Sequence, residues 1–238
     1  MGNYTARFKK VAELDAAERR ALAQLYFRYY EGGDGETEFF ADLDRKTEVL
    51  LVHCGGALIG FTTSEIYERT WRGAKVQILY SGDTVVDRAH WGQQALSFAW
   101  IGRLGRLRRE RPDLPLYWFV IVKGHRTFKF LPTFGKSFYP HWSIDRSDLK
   151  PLADQLAREK FGDEYDAERG VVAFARSRGH LKREIAFPSE EEKSRDAVRF
   201  FLERNPDYLK GHELVCLCEI SDENMRPLTK RVFDKAAA

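Results

Sequence analysis

The feature that most constrains this chain is the run Leu116–Val122, unbroken in apolar and aromatic side chains between Pro115 and Lys123-Gly124. A short continuous run of this kind reads as a strand buried on both faces. A long amphipathic stretch leads into it, from Trp91 to Arg111. There Leu96, Trp100, Leu104 and Leu107 share one face, Arg103 and Arg106 lie on another, and Pro112 closes the pattern. A buried strand fed by a helix predicts an α/β (α+β) domain, a sheet covered by helices. With 43% hydrophobic and 32% charged residues in 238, the chain has the material for one large domain, or one domain with an extension.

The upstream pattern supplies the rest of the sheet. Thr5–Val11 reads as a short strand. A helix follows over Leu14–Tyr30, with Asp15 as its N-cap and Glu18 completing a capping box. After a short helical piece at Phe39–Leu43, Glu48–Cys54 and Leu58–Glu68 are β-rich and joined by Gly55-Gly56, a hairpin signal. Trp71-Arg72-Gly73 is a turn into a third strand, Lys75–Tyr80 continued by Thr84–Val86, and Ser81-Gly82-Asp83 interrupts it as a bulge would. Beyond the buried strand a helix carries Phe130, Phe134 and Phe138. The remainder reads as a helix near Leu149–Phe161, a strand near Val171–Arg176, a helix opened by Ser189 with Glu192, a strand at Glu213–Ile220 and a last helix reaching Lys235. We divide the chain into a core over 1–145 and an extension over 146–238 that completes the same sheet.

Charge and cysteine usage narrow the function classes. The net charge is +3, yet nine Lys/Arg stand against Glu110 and Asp113 between Arg103 and Lys136, while acids slightly outnumber bases after Pro151. Such a block attracts phosphates, nucleic acid, acidic proteins or anionic lipid, or is simply a solvated helix face. No nucleic-acid recognition motif accompanies it, so no duplex binding is expected. Cys54, Cys216 and Cys218 make no disulfide framework, and the N-terminus has no apolar leader, so the expected location is the cytoplasm. No apolar run is long enough for a transmembrane segment. The six histidines fall in no metal-ligand spacing, so no metal is expected. Gly135-Lys136-Ser137 ends like a phosphate loop, but Phe130 stands where the first glycine belongs.

The order of strand, helices, antiparallel meander, long helix, buried strand, helix and late strands resembles the Gcn5-related N-acetyltransferase (GNAT) superfamily over roughly residues 45–142. The resemblance implies a mixed, mostly antiparallel central sheet flanked by helices. It also implies a V-shaped gap for an acyl-pantetheine arm between the strand before the long helix and the strand after it, and a loop opening that helix for the donor phosphates. The family loop is Arg-Gly-x-Gly-x-Gly; here Trp91-Gly92-Gln93-Gln94-Ala95-Leu96 keeps only Gly92. A helix N-terminus is an anion site, and glycines let backbone approach phosphate. Fewer glycines give a less open cradle, which suits acyl-carrier protein, whose arm bears one phosphodiester and no adenosine diphosphate, better than acyl-CoA, the alternative donor. It suits equally a silent member of the fold that binds without turnover.

On that resemblance the expected activity is acyl transfer from acyl-CoA or an acyl-phosphopantetheine carrier to an amine. Val85 and Val86 would present backbone N–H groups to the thioester, and His90, Trp91, Gly92, Gln93, Gln94 and Ala95 would hold phosphate. Glu65 or Asp83 would serve as base and Tyr139 as the acid for the leaving thiolate. Arg103, Arg106 and Arg109 would dock an acidic carrier. Each has a plainer reading: strand charges facing solvent, a packed tyrosine, a solvated arginine face. The stripe Phe128, Phe130, Leu131, Phe134, Phe138, Tyr139 and Trp142 is either core or the wall of an acyl pocket. Lysines and arginines interleave with it, which adds a membrane-surface reading.

Overall fold

A computed structural model describes residues 3–235. Met1 and Gly2, read above as part of a leaderless N-terminus, lie outside the described residues. Strand β1 (Tyr4–Lys10) leads to helix α1 (Ala16–Tyr29). Asp15 accepts from the N–H groups of Ala17 and Glu18, each at 2.8 Å, and Glu18 takes the Asp15 N–H, which is the reciprocal cap. The two-residue strand β2 (Tyr30–Glu31) and helix α2 (Glu36–Leu43) follow. The meander is β3 (Glu48–Cys54), β4 (Ala57–Trp71) and β5 (Ala74–Val86). Arg72 at φ 47° and Gly73 at φ 78° make the tight β4–β5 turn.

Helix α3 (Ala95–Glu110) begins four residues later than its apolar pattern predicts. Gly92 stands at φ 91°, and the Gln93 side chain caps the Ala95 N–H at 2.6 Å, so 91–94 is loop. Strand β6 (Leu116–Val122) is the buried run. The single helix expected after it is two pieces, α4 (His125–Phe128) and α5 (Phe130–Phe134). Pro132 is tolerated only in a first turn, so a fresh helix starts just ahead of it. Then come α6 (Lys150–Phe161), the two-residue strands β7 (Tyr165–Asp166), β8 (Val171–Val172) and β9 (His180–Leu181), and the short helices α7 (Arg183–Ala186) and α8 (Glu190–Lys193). Helix α9 (Asp196–Arg204), strand β10 (Glu213–Ile220) and helix α10 (Pro227–Lys235) complete the described chain.

The main sheet runs β1-β3-β4-β5-β6-β10-β8-β7, and β2 pairs with β9 apart from it. Every neighbouring pair in the main sheet is antiparallel except β5–β6, which is parallel. One face packs on α3, α4, α5, α9 and α10, through Leu104, Phe128, Phe201 and Phe233. The other packs on α6 through Leu152 and Leu156, and on α1 and α2 through Leu22 and Leu43. Strand alternation explains the division: Leu50 and Val52 face α3, while Val49 and Leu51 face α1. Cys216 and Cys218 are both buried on the α3 side.

The feature that positions a site is the fork between β5 and β6. The two strands pair from Gln77 opposite Leu116 to Ser81 opposite Val120 and then part. At the parting point Gly82 and Asp83 together oppose only Thr63 of β4, a bulge that turns β5 away. Antiparallel meander, long helix, parallel partner and fork make this a GNAT-like fold, mixed α/β with a mostly antiparallel sheet.

Candidate functional site

Three spaces meet at the fork. The largest, about 440 Å³, lies on the α3 side and is lined by Val86, Trp91, Gly92, Ser97, Arg126 and Leu181 among others. A second, about 100 Å³, opens on the α1 and α2 side around Tyr26, Tyr80, Asp83, Lys123 and Glu213. The third is a void of about 20 Å³ behind the fork, walled by Trp100, Trp118, Phe130 and Phe134. Thr84 of β5 and Thr127 of α4 line all three, and Tyr30 lines the two larger ones.

Backbone polarity in the large cleft follows from the sheet register. The Asp87 N–H donates to the Ile59 carbonyl at 2.8 Å, and Phe61 lies opposite Val85. Alternation therefore turns the Val85 amide toward β4 and the amides of Thr84 and Val86 into the fork. The Val86 carbonyl is already taken by the Trp91 indole N–H at 2.9 Å. His90 lines the cleft and hydrogen-bonds the Tyr4 hydroxyl at 3.1 Å. Gly92 and Gln93 line it too. Gln94 and Ala95 do not: the Gln94 carbonyl accepts from Phe98 as the α3 N-cap, and the Ala95 N–H is used by Gln93. Ser97, half-buried in the first turn of α3, lines the cleft in their place.

A carboxylate from the extension sits inside this cleft. Glu192 of α8 meets Lys129 at 3.0 Å, Arg126 at 3.3 Å and His125 at 3.6 Å, and accepts the Ser189 N–H at 3.1 Å. Burial pushes Glu192 up, but the Lys129 and Ser189 hydrogen bonds and the Arg126 charge outweigh it and hold it at about 2. Burial and Arg126 push His125 down to about 4, against the pull of Glu192, so the imidazole is neutral. Two fixed cations against one carboxylate leave a single net positive charge.

In the smaller pocket burial raises Asp83 to about 6, reinforced by Asp42 and opposed by Lys123 and Lys46. Glu213 at the start of β10 is raised to about 6, by burial first, against Lys123 at 3.4 Å. Burial pulls Lys123 down, but Glu213 and Asp83 outweigh it and hold it above the usual lysine value. Neither Lys123 nor Glu213 is marked in the sequence beyond being a charge that ends a continuous apolar strand, a signal that could have found both.

Three expectations are corrected by position. Glu65 faces α6 and is ion-paired with Lys160, outside all three spaces. Tyr139 is 8% exposed, bridges Leu217 through the backbone, and packs in the α6-side core. The basic block is largely neutralised by the fold. Arg103 pairs with Glu48 at 2.8 Å and Glu110 at 3.2 Å, Arg111 with Glu68 and Asp113, and Lys123, Arg126 and Lys129 as above. Arg106 lies over the Phe8 ring at 5.9 Å, and Arg109 is partly buried, so the three arginines form no open docking face. Phe128, Leu131, Phe134 and Phe138 are core, and only Phe130 of the stripe reaches the large cleft. Among the described residues no group of three or more His, Cys, Asp or Glu forms a metal-ligand set. No helix there is long and apolar enough to cross a membrane.

Fold and fork together define the class as GNAT-like in architecture. No family model matches the chain, and no curated protein matches it either. Among solved structures it is similar to a conserved protein of unknown function from Enterococcus faecalis, with 11% identity and a TM-score of 0.40, over 63% of this chain and 43% of that one. It is similar to the GNAT family N-acetyltransferase YhbS of Escherichia coli, solved with CoA, with 15% identity and a TM-score of 0.39, over 56% and 69% of the two chains. It is also similar to NAA60 of Arabidopsis thaliana, solved with a bisubstrate analogue, with 17% identity and a TM-score of 0.37, over 55% and 84%. The match thus spans less than half the length of the first of these.

Proposed function

We propose that this chain transfers a short acyl group from a thioester on a phosphopantetheine arm to a small amine. The observation that carries the reading is the convergence of three spaces on Thr84 and Thr127, one each for donor arm, acceptor and acyl end. A cavity of about 150 Å³ holds benzene. On that scale the large cleft, about 440 Å³, takes roughly eighteen non-hydrogen atoms, the order of a pantetheine arm. The void of about 20 Å³ takes roughly one, the methyl group of an acetyl.

The chemistry follows from the residues at the junction. The thioester carbonyl, set against the Thr84 and Val86 amides, gains hydrogen bonds as its oxygen becomes an oxyanion. Asp83 takes a proton from the acceptor ammonium, the free amine attacks the thioester carbon, and as the carbon–sulfur bond breaks the nitrogen gives up a second proton, which passes to the departing sulfur through the hydroxyl of Tyr30. Tyr30 replaces Tyr139 as proton donor to the departing sulfur. Burial raises its hydroxyl well above the ordinary tyrosine value, so it is protonated at neutral pH. The single net positive charge around Arg126 and Lys129 suits one phosphodiester better than the several phosphate charges of CoA, which favours a carrier-borne donor. The second reading is a binding module without turnover, favoured because Trp91 and Glu192 already occupy polar groups of the cleft.

The test is acyl transfer to a panel of small amines from acetyl-CoA, acetyl-phosphopantetheine and acetylated carrier protein. Transfer from any of the three supports the reading, and the most efficient identifies the carrier. Donor binding without transfer selects the second reading, and neither removes both. Two variants sharpen the assignment. Glu192→Gln should tighten binding of a phosphorylated donor by roughly tenfold, because it deletes a negative charge that competes for Arg126 and Lys129. Weaker binding in a folded Glu192→Gln chain would place the phosphate elsewhere. Phe130→Ala should open the void and shift preference from acetyl toward four-carbon and longer acyl groups by roughly tenfold in kcat/KM, which competition between two donors reads directly. An unchanged ratio would separate the void from the acyl group.

A further inference from the structure

The void behind the fork is walled largely by rings, yet it carries polar groups with hydrogens to spare. The hydroxyls of Thr62 and Thr84 share a hydrogen bond at 2.7 Å. One of the pair donates to the other, so the second keeps its own hydrogen free. The Trp118 indole N–H donates to the buried Ser81 hydroxyl at 2.8 Å, and that hydroxyl donates to no acceptor among the described residues. No charged side chain among the described residues lines the void.

A second, independent observation concerns Trp100. Its indole N–H is buried and has no hydrogen-bond partner among the described residues. Of the three spaces at the fork, Trp100 borders this one alone. Its ring centre lies 6.0 Å from that of Trp118 at an angle of 60°, so the two indoles brace each other. Buried donors are nearly always partnered, and one left free beside a cavity marks a place for an acceptor. The void, about 20 Å³, exceeds the roughly 10–15 Å³ that a single water-sized group needs.

We propose that this void is built for a hydroxyl oxygen, and that the acyl group it selects is hydroxyacetyl, with Trp100 as the residue that sets the preference. The proposal rests on the acyl-transfer reading, which brings the end of the acyl group here. The methylene of hydroxyacetyl lies at Thr84, which lines all three spaces. Its hydroxyl enters the void, accepts from the Trp100 N–H and donates to a hydroxyl of the wall. A methyl group in the same place leaves the Trp100 N–H unpartnered, so acetyl fits and is the poorer donor. A site whose buried polar group needs a partner discriminates against an analogue that lacks one. A carboxylate or ammonium at the same position would be buried without a counter-charge, so the selected group is neutral.

The test compares two thioesters of equal size, hydroxyacetyl- and propionyl-phosphopantetheine, which differ by a hydroxyl in place of a methyl. Calorimetric titration of the full chain without any amine should show hydroxyacetyl binding at least tenfold more tightly than propionyl. Trp100→Phe keeps a ring in the wall and removes the donor, so the two affinities should come within about threefold of each other. Equal affinities in the wild type mean that the void keeps a water or takes a methyl, and overturn the proposal. An undiminished preference in a folded Trp100→Phe chain removes Trp100 from the role. The wild-type comparison decides the matter even where the variant does not fold, and binding of neither thioester also overturns the proposal. Because no amine is present, preferential hydroxyacetyl binding without acyl transfer sinks the transfer reading alone. Acetyl transfer by a chain that binds the two thioesters equally sinks this proposal alone.

Discussion

Asp83→Asn is expected to lower acyl transfer by at least about a hundredfold and, at pH 7, to melt above the wild type. Asp83 is raised from 3.8 to about 6 by burial and by Asp42, with Lys46 and Lys123 opposing and Glu213 beside it. A carboxylate whose folded pKa lies above its unfolded value favours the fold when protonated. Its contribution is fully present below about pH 4 and is lost as pH rises through about 6. At neutral pH the ionised group therefore destabilises the fold, on the order of 1–3 kcal/mol. Asparagine removes that charge, for a gain of a few degrees that disappears near pH 4. The ionised form is also the one that accepts a proton, so the wild-type rate should rise through an acid limb near pH 6. Rates and melting temperatures across pH 4–8 check both halves. A variant with near wild-type rate, or one that melts lower at pH 7, would remove Asp83 from its role.

Gly105→Leu should destabilise the chain by about 1–3 kcal/mol or more, lowering its melting temperature by roughly 2–10 °C. Gly105 lies where α3 crosses α10, and an added Cβ would stand 2.5 Å from the Phe233 carbonyl oxygen and 3.2 Å from its carbon. Backbone cannot move aside as a flexible side chain can, so α10 must be displaced and the buried Phe233 with it. Thermal unfolding of the full chain measures the effect, and an unchanged melting temperature would mean that this crossing is loose.

Much of the fold was legible because local rules and tertiary context agreed. The runs over 48–54, 116–122 and 213–220 are strands with those bounds, and both capping boxes form. Ser81-Gly82-Asp83 is the bulge that opens the fork. Disagreement came where a side chain or glycine overrode a period: Trp91–Gln94 looks helical by apolar spacing, but Gly92 and Gln93 hold it as loop. The helix opened by Ser189 is broken at Ser194-Arg195 into α8 and α9. The site was harder to read. Asp83 and the loop around Gly92 are marked by breaks in regular pattern, which sequence shows. Tyr30, Thr127, Lys123 and Glu213 are ordinary in their own segments and meet only when β10 and α4 are laid against β6. Glu192 read as a capping residue, and it is one, but its carboxylate also faces the cleft that α8 covers.

The place of β10 in the sheet bears on how the protein is made. It pairs along the whole of β6 from Leu214 opposite Val122 to Ile220 opposite Leu116, and brings Glu213 to the junction. Ribosomes add roughly 5–20 residues per second. On a nascent chain, β6 therefore waits on the order of 5–20 s with one edge open before its partner leaves the exit tunnel. An unpaired, wholly apolar edge is the kind of surface that draws chaperones or neighbouring chains. The junction does not exist until β10 has been made and laid against β6.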